Sequence, residues 1–348
     1  MDQPFDVTFY LDPGLLESAQ AGKHNFINLI VRTLSDAGMR VFYHPNSEKA
    51  RRASQDLPGY ALFHMDDPTH PRALTLRRSY YYPFWQIESS GRRWEWKVAV
   101  TSFRPDDIEQ AEARRFANFW RKRLYPVAST APVSDGPVYI PLQGMIRKHR
   151  SFQSCSPLVM VAKTAERFAE NEVILTLHPN EVYSNADRRA LQDVSAQYPN
   201  ITISRQDMVT CLNACKLVVT QNSSVAFAGF FFHKPAVLFA QIDFHHIAGN
   251  VPRDGEDRAF ANWRSGAAFD AYIWWFLQHM SINAGRPAVE AREKIASVLW
   301  DNGWPVCQHI AKKGAPSGTP FDVLSLQSLD CVFDPAFDRC FWCRTGFV

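Results

Sequence analysis

The order of apolar and polar residues in the first part of the chain predicts alternating strands and helices. Apolar runs at residues 5–11 (FDVTFYL), 40–44 (RVFYH) and 60–64 (YALFH) predict strands, and residues 24–38 predict a helix between the first two. A longer helix is predicted from Asp106 to Leu124, because apolar residues recur there at helical spacing and the stretch is acidic at its start and basic at its end. A strand–helix–strand beginning is typical of a parallel α/β layer.

A second pattern of the same kind begins after residues 125–137 (YPVASTAPVSDGP), whose Pro, Ser, Ala and Gly content indicates a linker. Its strands are continuous apolar runs rather than alternating ones, which indicates a sheet covered on both faces. The predicted strands are 138–142, 173–177, 201–204, 217–220 and 236–240, and the predicted helices lie near 155–170, 186–197, 206–215 and 224–232.

The two patterns predict an α/β protein with two Rossmann-like domains that are joined by the linker and leave a cleft between them. A length of 348 residues is too great for one ordinary core and suits two domains. We assign residues 1–130 to the N-terminal domain, residues 131–310 to the C-terminal domain, and residues 311–348 to a tail that packs on the body of the protein.

Composition narrows the functional classes. A hydrophobic content of 46% with 21% charged residues is that of a globular protein, and a net charge of +3 is too small to indicate nucleic-acid binding. The sequence shows no signal-peptide pattern and no apolar run long enough to span a membrane, and its seven cysteines suit a reducing compartment. We therefore expect a cytoplasmic protein without a nucleic-acid partner.

Three common enzyme signatures are missing from the sequence. It has no GxGxxG fingerprint, no GxxxxGK[ST] phosphate loop and no GxSxG nucleophile motif. These absences disfavour NAD enzymes, P-loop kinases and α/β-hydrolases.

Polar residues follow four predicted strands of the second domain, at the point where each strand ends. The carboxyl ends of parallel strands form the usual ligand-binding edge of an open α/β sheet, so these residues are predicted to converge. They are Gln143 with the run Arg147-Lys148-His149-Arg150, His178-Pro179-Asn180-Glu181, Gln221-Asn222-Ser223-Ser224, and Gln241 with Asp243, His245 and His246.

Two of these motifs each have a structural and a functional interpretation. Ser223 or Ser224 caps the helix that follows, but capping needs one hydroxyl, and a helix N-terminus with two hydroxyls is also a phosphate-binding site. His178 is either a structural residue at a strand end or a group that helps a phosphate leave with its negative charge.

The sequences LHPNE (177–181) and TQNSSVAFAGFFFHKPAVLF (220–239) resemble the capsule-polysaccharide biosynthesis proteins, a family that includes bacterial 3-deoxy-manno-octulosonate (Kdo) transferases. More distantly, the His-Pro and Ser-Ser motifs resemble bacterial sialyltransferases. The resemblance covers residues 138–247. It implies two facing Rossmann-like domains, the GT-B arrangement, with the acceptor on the N-terminal domain and the nucleotide sugar on the C-terminal one. It also implies that a final helical stretch near 286–300 folds back across the domain junction.

The resemblance implies a glycosyltransferase that moves a sugar acid, Kdo first of all, from a CMP-activated donor to a bacterial surface polysaccharide or glycolipid. His178, Ser223 and Ser224 then hold the CMP part of the donor. The alternatives are a CMP-sialic acid or a UDP- or GDP-sugar as donor, or a non-catalytic module that binds a nucleotide or glycan. No cofactor is implied beyond the donor substrate, and a divalent metal is either not required or left open.

The sequence departs from the family pattern at two places. Ala228 stands where the family often has Glu, and the segment LQGMIRKHRSFQ after the first strand is basic where an acidic residue is common. The catalytic carboxylate is therefore open: Glu181 and Asp243 suit a nucleophile or a base, and His245 or His246 suits a base. Asp243 also suits a turn cap, and the basic run suits a solvated loop as well as it suits the donor's carboxylate.

We take two sets of residues forward. The catalytic candidates are His178, Glu181, Asp243 and His246. The donor-binding candidates are Gln143, Arg147, His149, Pro179, Gln221, Asn222, Ser223, Ser224 and His245, and no metal ligands are proposed.

Three other stretches have two interpretations each. The helix end FANFWRKRLY suits either peripheral membrane association or an ordinary amphipathic helix, and the aromatic stretch SYYYPFWQIESSGRRWEW suits either an acceptor platform or a core. Cys340 and Cys343, with Cys331 upstream, are expected to be reduced cysteines of the tail rather than zinc ligands.

Overall fold

The computed structural model describes residues 5–261, 263 and 267–306, and these form two compact units. Within the described residues, the first unit contains 5–126, 242–247 and 267–306, and the second contains 127–241, 248–261 and 263.

Twelve strands form two sheets of six in the described residues. In chain order they are β1 (Asp6–Leu11), β2 (Arg40–Pro45), β3 (Tyr60–His64), β4 (Ala73–Arg78), β5 (Phe84–Glu88), β6 (Val138–Leu142), β7 (Val173–Leu177), β8 (Ile201–Ser204), β9 (Leu217–Thr220), β10 (Ala236–Leu238), β11 (Gly249–Asn250) and β12 (Ile282–Asn283).

The α-helices of the same residues are α1 (Pro13–Gln20), α2 (Asn25–Asp36), α3 (Glu48–Ala53), α4 (Lys97–Val100), α5 (Gln110–Leu124), α6 (Pro157–Arg167), α7 (Asn185–Gln197), α8 (Met208–Ala214), α9 (Ser224–Phe231), α10 (Val251–Asp254), α11 (Glu256–Ala261), α12 (Phe269–Trp274) and α13 (Ala288–Asp301). A π-helical turn, Trp275–Met280, continues α12. None of the described helices is both long and apolar enough to cross a membrane.

The first sheet has the order β12-β5-β4-β3-β1-β2. The strands β2, β1, β3 and β4 are parallel, and β5 and β12 extend the sheet in antiparallel pairs. A core on this sheet joins β1 and α2 to α13, with Phe9, Phe26, Ile295 and Leu299 all fully buried or nearly so. The end of the described chain is therefore part of the core that the beginning of the chain starts.

The second sheet is entirely parallel and has the order β11-β10-β9-β6-β7-β8. Counted within this unit from β8, the strands come third, second, first, fourth, fifth and sixth, which is the Rossmann order. The central strands β6 and β9 are buried along their whole length. The prediction of an α/β protein built on two Rossmann-like units is confirmed.

Some element boundaries differ from the sequence prediction. The helix expected from Asp106 begins at Gln110, because the Glu109 side chain accepts hydrogen bonds from the backbone N–H groups of Ala111 and Glu112 and so caps it. The aromatic stretch contains strand β5, which fits the core interpretation, because Phe84 and Trp85 are buried.

The unit boundaries also differ from the predicted domains. The break near Pro126 lies in the predicted linker, but residues 242–247 and 267–306, which we assigned to the C-terminal domain, belong to the first unit. Residues 267–306 do so because β12 pairs with β5 and because α13 packs into the first core, and residues 242–247 do so because Asp243 pairs with Arg93. The predicted tail, 311–348, with Cys331, Cys340 and Cys343, lies outside the described residues.

Candidate functional site

The second sheet reverses its strand order between β6 and β9. The chain continues from β6 to β7 on one side of β6, whereas β9 lies on the other side and continues to β10. The loops that leave the carboxyl ends of β6 and β9 therefore diverge and open a crevice, which is the place where open α/β sheets bind ligands. Gln143 and Gly144 leave β6 there, and Gln221 to Ser224 leave β9.

The N-terminus of α9 uses only one of its two serines as a cap. The Ser223 hydroxyl oxygen is buried and accepts a hydrogen bond from the Val225 N–H at 3.3 Å. The Ser224 hydroxyl and the Asn222 amide, both partly exposed, make no hydrogen bond with any of the residues that the structure describes. The cap interpretation thus holds for Ser223, and Ser224 and Asn222 remain available to a ligand.

Gln221 directly precedes this turn, and only the NH₂ group of its side-chain amide has a hydrogen-bond partner among the described residues. Its side-chain NH₂ donates to the Cys155 carbonyl at 3.1 Å, whereas its buried Oε1 accepts no hydrogen bond from a described residue. Gln221 lines a cavity of about 10 Å³ together with Gln143, Arg150 and Thr220. That volume holds about one water, so a larger ligand would bind outside it, in the crevice.

His178 follows β7, and both its backbone N–H and its ring form hydrogen bonds with the loop that comes after it. Its own N–H donates to the Tyr183 hydroxyl at 3.0 Å, and the Tyr183 hydroxyl donates to the Leu142 carbonyl at 3.4 Å. The Asn180 N–H donates to Nδ1 of His178 at 3.2 Å, so Nδ1 carries the lone pair and Nε2 carries the proton of the neutral ring.

The protonation state of His178 follows from its surroundings. Burial lowers the pKa of His178 below its ordinary value of 6.5, and the negative charge of Glu181 opposes this shift only in part. The imidazole is therefore neutral at pH 7 and presents Nε2–H as a hydrogen-bond donor. Pro179, the other half of the His-Pro motif, is exposed.

Glu181 joins the loop after β7 to the loop after β6. A Cβ atom at Gly144 would lie 2.2 Å from Oε2 of Glu181, so the carboxylate rests directly on the glycine backbone. Burial lowers the pKa of Arg150, and the negative charge of Glu181 opposes that shift. The Glu181 carboxylate and the Arg150 guanidinium therefore lie close enough to interact at this edge of the sheet.

The basic run after β6 divides into solvated and partly buried members. Arg147 is exposed and pairs with Asp187 in the first turn of α7 at 2.8 Å, and the His149 ring nitrogen Nε2 donates to the Gln153 carbonyl at 2.7 Å. Arg150 is partly buried over the Phe152 ring at 4.8 Å, and its Nε has no hydrogen-bond partner among the described residues. Arg150 was not among the individual candidates; its closeness to Gln221 and Glu181 distinguishes it from Arg147.

Asp243 is a member of the first unit and is enclosed there. Its side chain is 0% exposed, accepts a hydrogen bond from the Tyr80 hydroxyl, and pairs with Arg93 at 3.0 Å. Burial raises the pKa of Asp243, and Arg93 and Tyr80 oppose that shift. Both carboxylate oxygens are therefore occupied by partners of the first unit.

His245 and His246 also bind the first unit. Nε2 of His245 donates to the Ala99 carbonyl, and Nε2 of His246 donates to the Thr101 carbonyl, each at 3.0 Å. Nδ1 of His246 accepts from the Tyr272 hydroxyl at 2.9 Å. The candidates therefore fall into two groups. His178, Glu181, Asn222 and Ser224 follow strands of the second sheet, at its carboxyl edge, whereas Asp243, His245 and His246 belong to the first unit.

Comparison with known proteins gives no family profile and no curated protein that matches this chain. Similar solved structures include two parts of the Thermosulfurimonas dismutans protein KpsC. Its β-Kdo 2,7-transferase is 11% identical, with 85% of this chain and 99% of that chain covered and a TM-score of 0.49. Its β-Kdo 2,4-transferase is 12% identical, with 78% and 89% covered and a TM-score of 0.44.

A UDP-GlcNAc 2-epimerase from Neisseria meningitidis, in complex with UDP-GlcNAc, is a further similar structure. It is 12% identical, with 86% of this chain and 100% of that chain covered, at a TM-score of 0.29. Kdo transferases, the group that the motifs resemble, are therefore among the similar solved structures.

Proposed function

We propose that this protein is a glycosyltransferase that transfers a sugar acid, most specifically Kdo, from a CMP-activated donor to a bacterial surface polysaccharide or glycolipid. The observation that carries the proposal is the edge of the second sheet at its switch point. There, a neutral His178 presents Nε2–H, while Ser224 and Asn222 stand uncommitted at the start of α9.

These groups have the chemistry that a nucleotide phosphate requires. The first N–H groups of a helix attract an anion, and a free hydroxyl beside them adds a donor. When the bond between the sugar's anomeric carbon and the phosphate oxygen breaks, its electron pair stays on the phosphate. A hydrogen bond from His178 stabilises that added charge without the imidazole having to give up its proton.

The sugar acid itself adds a second negative charge to the donor. Arg150, partly buried at the same edge, offers a guanidinium to the donor's carboxylate, a pairing that Arg forms with two parallel hydrogen bonds. Glu181 is the carboxylate that we assign to the reacting carbon. Asp243 is less suited to that role because Arg93 and Tyr80 already occupy it.

The first experiment is a thermal-shift comparison of CMP, UDP and GDP. A ligand at a hundredfold excess over its Kd stabilises the folded protein by about 2.7 kcal/mol, so binding produces a clear rise in Tm. We expect CMP to raise Tm more than UDP or GDP. A rise with UDP alone would contradict the CMP assignment.

Ser223 and Ser224 provide a matched pair of variants for the same experiment. Ser224→Ala should leave the Tm of the free protein unchanged and reduce the shift that CMP causes, because this hydroxyl has no partner in the described residues. Ser223→Ala should lower the Tm of the free protein, because loss of a helix cap costs about 1 kcal/mol. If CMP raises the Tm of Ser224→Ala as much as that of the wild type, the phosphate does not bind at this turn.

Turnover distinguishes the enzyme from a binding module. Release of CMP should be measured with CMP-Kdo and with CMP-sialic acid as donors, each with and without a glycan acceptor. Acceptor-dependent CMP release from CMP-Kdo supports the transferase, release from CMP-sialic acid alone changes the donor, and a CMP shift without any release favours the non-catalytic module.

A further inference from the structure

The sheet of the first unit is covered differently on its two faces. On one face, Val7 and Phe9 of β1 pack into the core that α2 and α13 complete. Side chains alternate between the faces along a strand, so Thr8 lies on the opposite face. The register of the sheet places Phe42 of β2 and Ala61 of β3 directly beside Thr8 on that second face.

The helix on the second face is too short to cover the strands. Ala50 of α3 packs there against a small cluster that contains Tyr10 and Phe63. Six residues make a helix about 9 Å long, whereas the six residues of β1 extend over about 20 Å. After α3 the chain turns through residues 54–59 into β3. α3 therefore leaves part of this face uncovered.

A cavity of about 300 Å³ lies on this face of the sheet. Its lining includes Asp6, Thr8, Tyr10, Phe42, Tyr60 and His70. The cavity reaches the amino ends of the strands, because Asp6 and Tyr60 are the first residues of β1 and β3. Ligand pockets have volumes of roughly 300–1,000 Å³ and combine apolar and aromatic walls with a few polar groups. The cavity is therefore large enough for a small organic ligand.

Four polar side chains of the lining have no hydrogen-bond partner in the part of the chain that the structure describes. They are the hydroxyls of Thr8, Tyr10 and Tyr60 and the imidazole of His70, whose Nδ1 is also enclosed. Burial and the charge of Arg72 lower the pKa of His70, so its ring is neutral and one of its nitrogens accepts a hydrogen bond. Polar groups without partners are costly when they are enclosed, so this lining suits a ligand with several hydrogen-bonding groups.

Aromatic rings and one carboxylate complete the lining. Phe42 is 47% exposed, and the Tyr60 ring packs against Trp304 with 4.7 Å between the ring centroids. Asp6 accepts two hydrogen bonds from Arg40, at 2.8 and 3.0 Å, and each of its oxygens keeps a further lone pair for a ligand. The described lining residues include no Lys or Arg. A phosphate or an acidic sugar would therefore meet the Asp6 carboxylate and find no cation in the lining to bind it.

We propose that this cavity binds a neutral pyranose sugar. The C–H groups on the face of a pyranose ring pack on aromatic side chains such as Phe42. Its hydroxyls donate to Asp6 and His70 and accept from Tyr10 and Tyr60, whereas an alkyl chain would leave these groups without partners. All of these residues belong to the first unit, so the site needs no residue of the second unit and does not depend on the proposed transferase function.

Saturation-transfer difference NMR on the full chain tests the class of ligand. The neutral probes are methyl α-glucoside, methyl β-galactoside and methyl N-acetyl-β-glucosaminide, and the comparison probes are methyl β-glucuronide, adenosine and hexanol. We expect a neutral glycoside to bind with a Kd of about 1 mM, the affinity typical of a ligand with about 13 non-hydrogen atoms. No transfer to any neutral glycoside at about twenty times that concentration would overturn the proposal, and so would tighter binding of a comparison probe.

Two variants test whether the sugar binds in this cavity. Phe42→Ala should raise the Kd about tenfold, because the aromatic wall is lost. Thr8→Val keeps the shape of the side chain and should raise the Kd about fivefold, because one hydrogen bond is lost. Phe119→Ala is the control, because Phe119 is an exposed phenylalanine of α5 in the same unit, at 39% against 47% for Phe42. Circular dichroism and Tm establish that each variant is folded.

The outcomes for the sugar site and for the transferase are separate. If Phe42→Ala and Thr8→Val both bind the sugar as the wild type does, the sugar binds elsewhere and the cavity assignment is wrong. A raised Kd in both variants, with Phe119→Ala equal to the wild type, supports the site. Failure of CMP to raise Tm contradicts the proposed function and leaves this site unaffected, because the sugar titration contains no nucleotide.

Discussion

Asp243→Asn separates a catalytic carboxylate from a structural one. The replacement keeps the shape of the side chain but removes the charge that faces Arg93, whose side chain is 4% exposed. Breaking a buried ion pair by removing one partner costs about 3–5 kcal/mol, because the other charge stays buried. Arg93 keeps some compensation from the Tyr80 and Trp96 rings, at 4.7 and 4.5 Å, and from the Arg78 carbonyl, at 3.3 Å. We therefore expect a loss near the lower end, about 3 kcal/mol.

The assay is urea denaturation followed by tryptophan fluorescence, with CMP release measured under conditions where the variant is folded. Asp6→Asn is the control, because Asp6 forms a comparable pair with Arg40 at 2.8 Å on the exposed surface, and such pairs contribute little. The double variant Arg93→Met/Asp243→Leu should recover much of the lost stability, since apolar replacements of a buried pair are often neutral or stabilising. If Asp243→Asn instead has wild-type stability and a turnover lowered more than a hundredfold, Asp243 is catalytic and our structural assignment is wrong.

Two further predictions concern histidines. His178→Ala should lower turnover by a factor of about 10²–10⁴ while Tm stays near that of the wild type, and near-normal steady-state rates would return His178 to a structural role. For His24, the folded pKa of about 4 lies below its ordinary 6.5, so the unfolded chain binds the proton more readily and stability falls as pH drops from 6.5 to 4. The shift corresponds to a loss of about 3 kcal/mol in the unfolding free energy. His24→Asn, which keeps a capping residue without a titrating ring, should flatten that part of the stability–pH curve; an unchanged slope would show that other groups cause it.

Apolar runs predicted the fold class because each central strand is buried on both faces and so needs apolar residues throughout. The location of the aromatic stretch that contains β5 was harder to predict, because consecutive aromatic residues suit a core and a surface platform equally well. The grouping of residues 242–247 with the first unit was not predictable, since the partner of Asp243 is Arg93, 150 residues earlier in the sequence. Local patterns carry no information about a contact of that separation.

The candidate site was likewise predictable from the sequence only in part. The carboxyl-end rule predicted the edge of the second sheet, and the capping rule applied to one of the two serines. The tautomer of His178 depends on the backbone N–H of Asn180, a detail of loop geometry that residue types do not encode.

The return of residues 267–306 to the first unit has a consequence for protein synthesis. The first 126 residues emerge from the ribosome long before α13, the helix that completes the core around Phe26 and Trp85. At about 5–20 residues per second, the roughly 180 residues in between take about 10–40 seconds to emerge. During that interval the second unit has all of its described strands available, whereas the nascent first unit lacks β12 and α13 and leaves exposed the apolar surface that they cover. A premature stop before Ile282 would therefore damage the first unit more than the second unit, because only the first unit would lose β12 and α13.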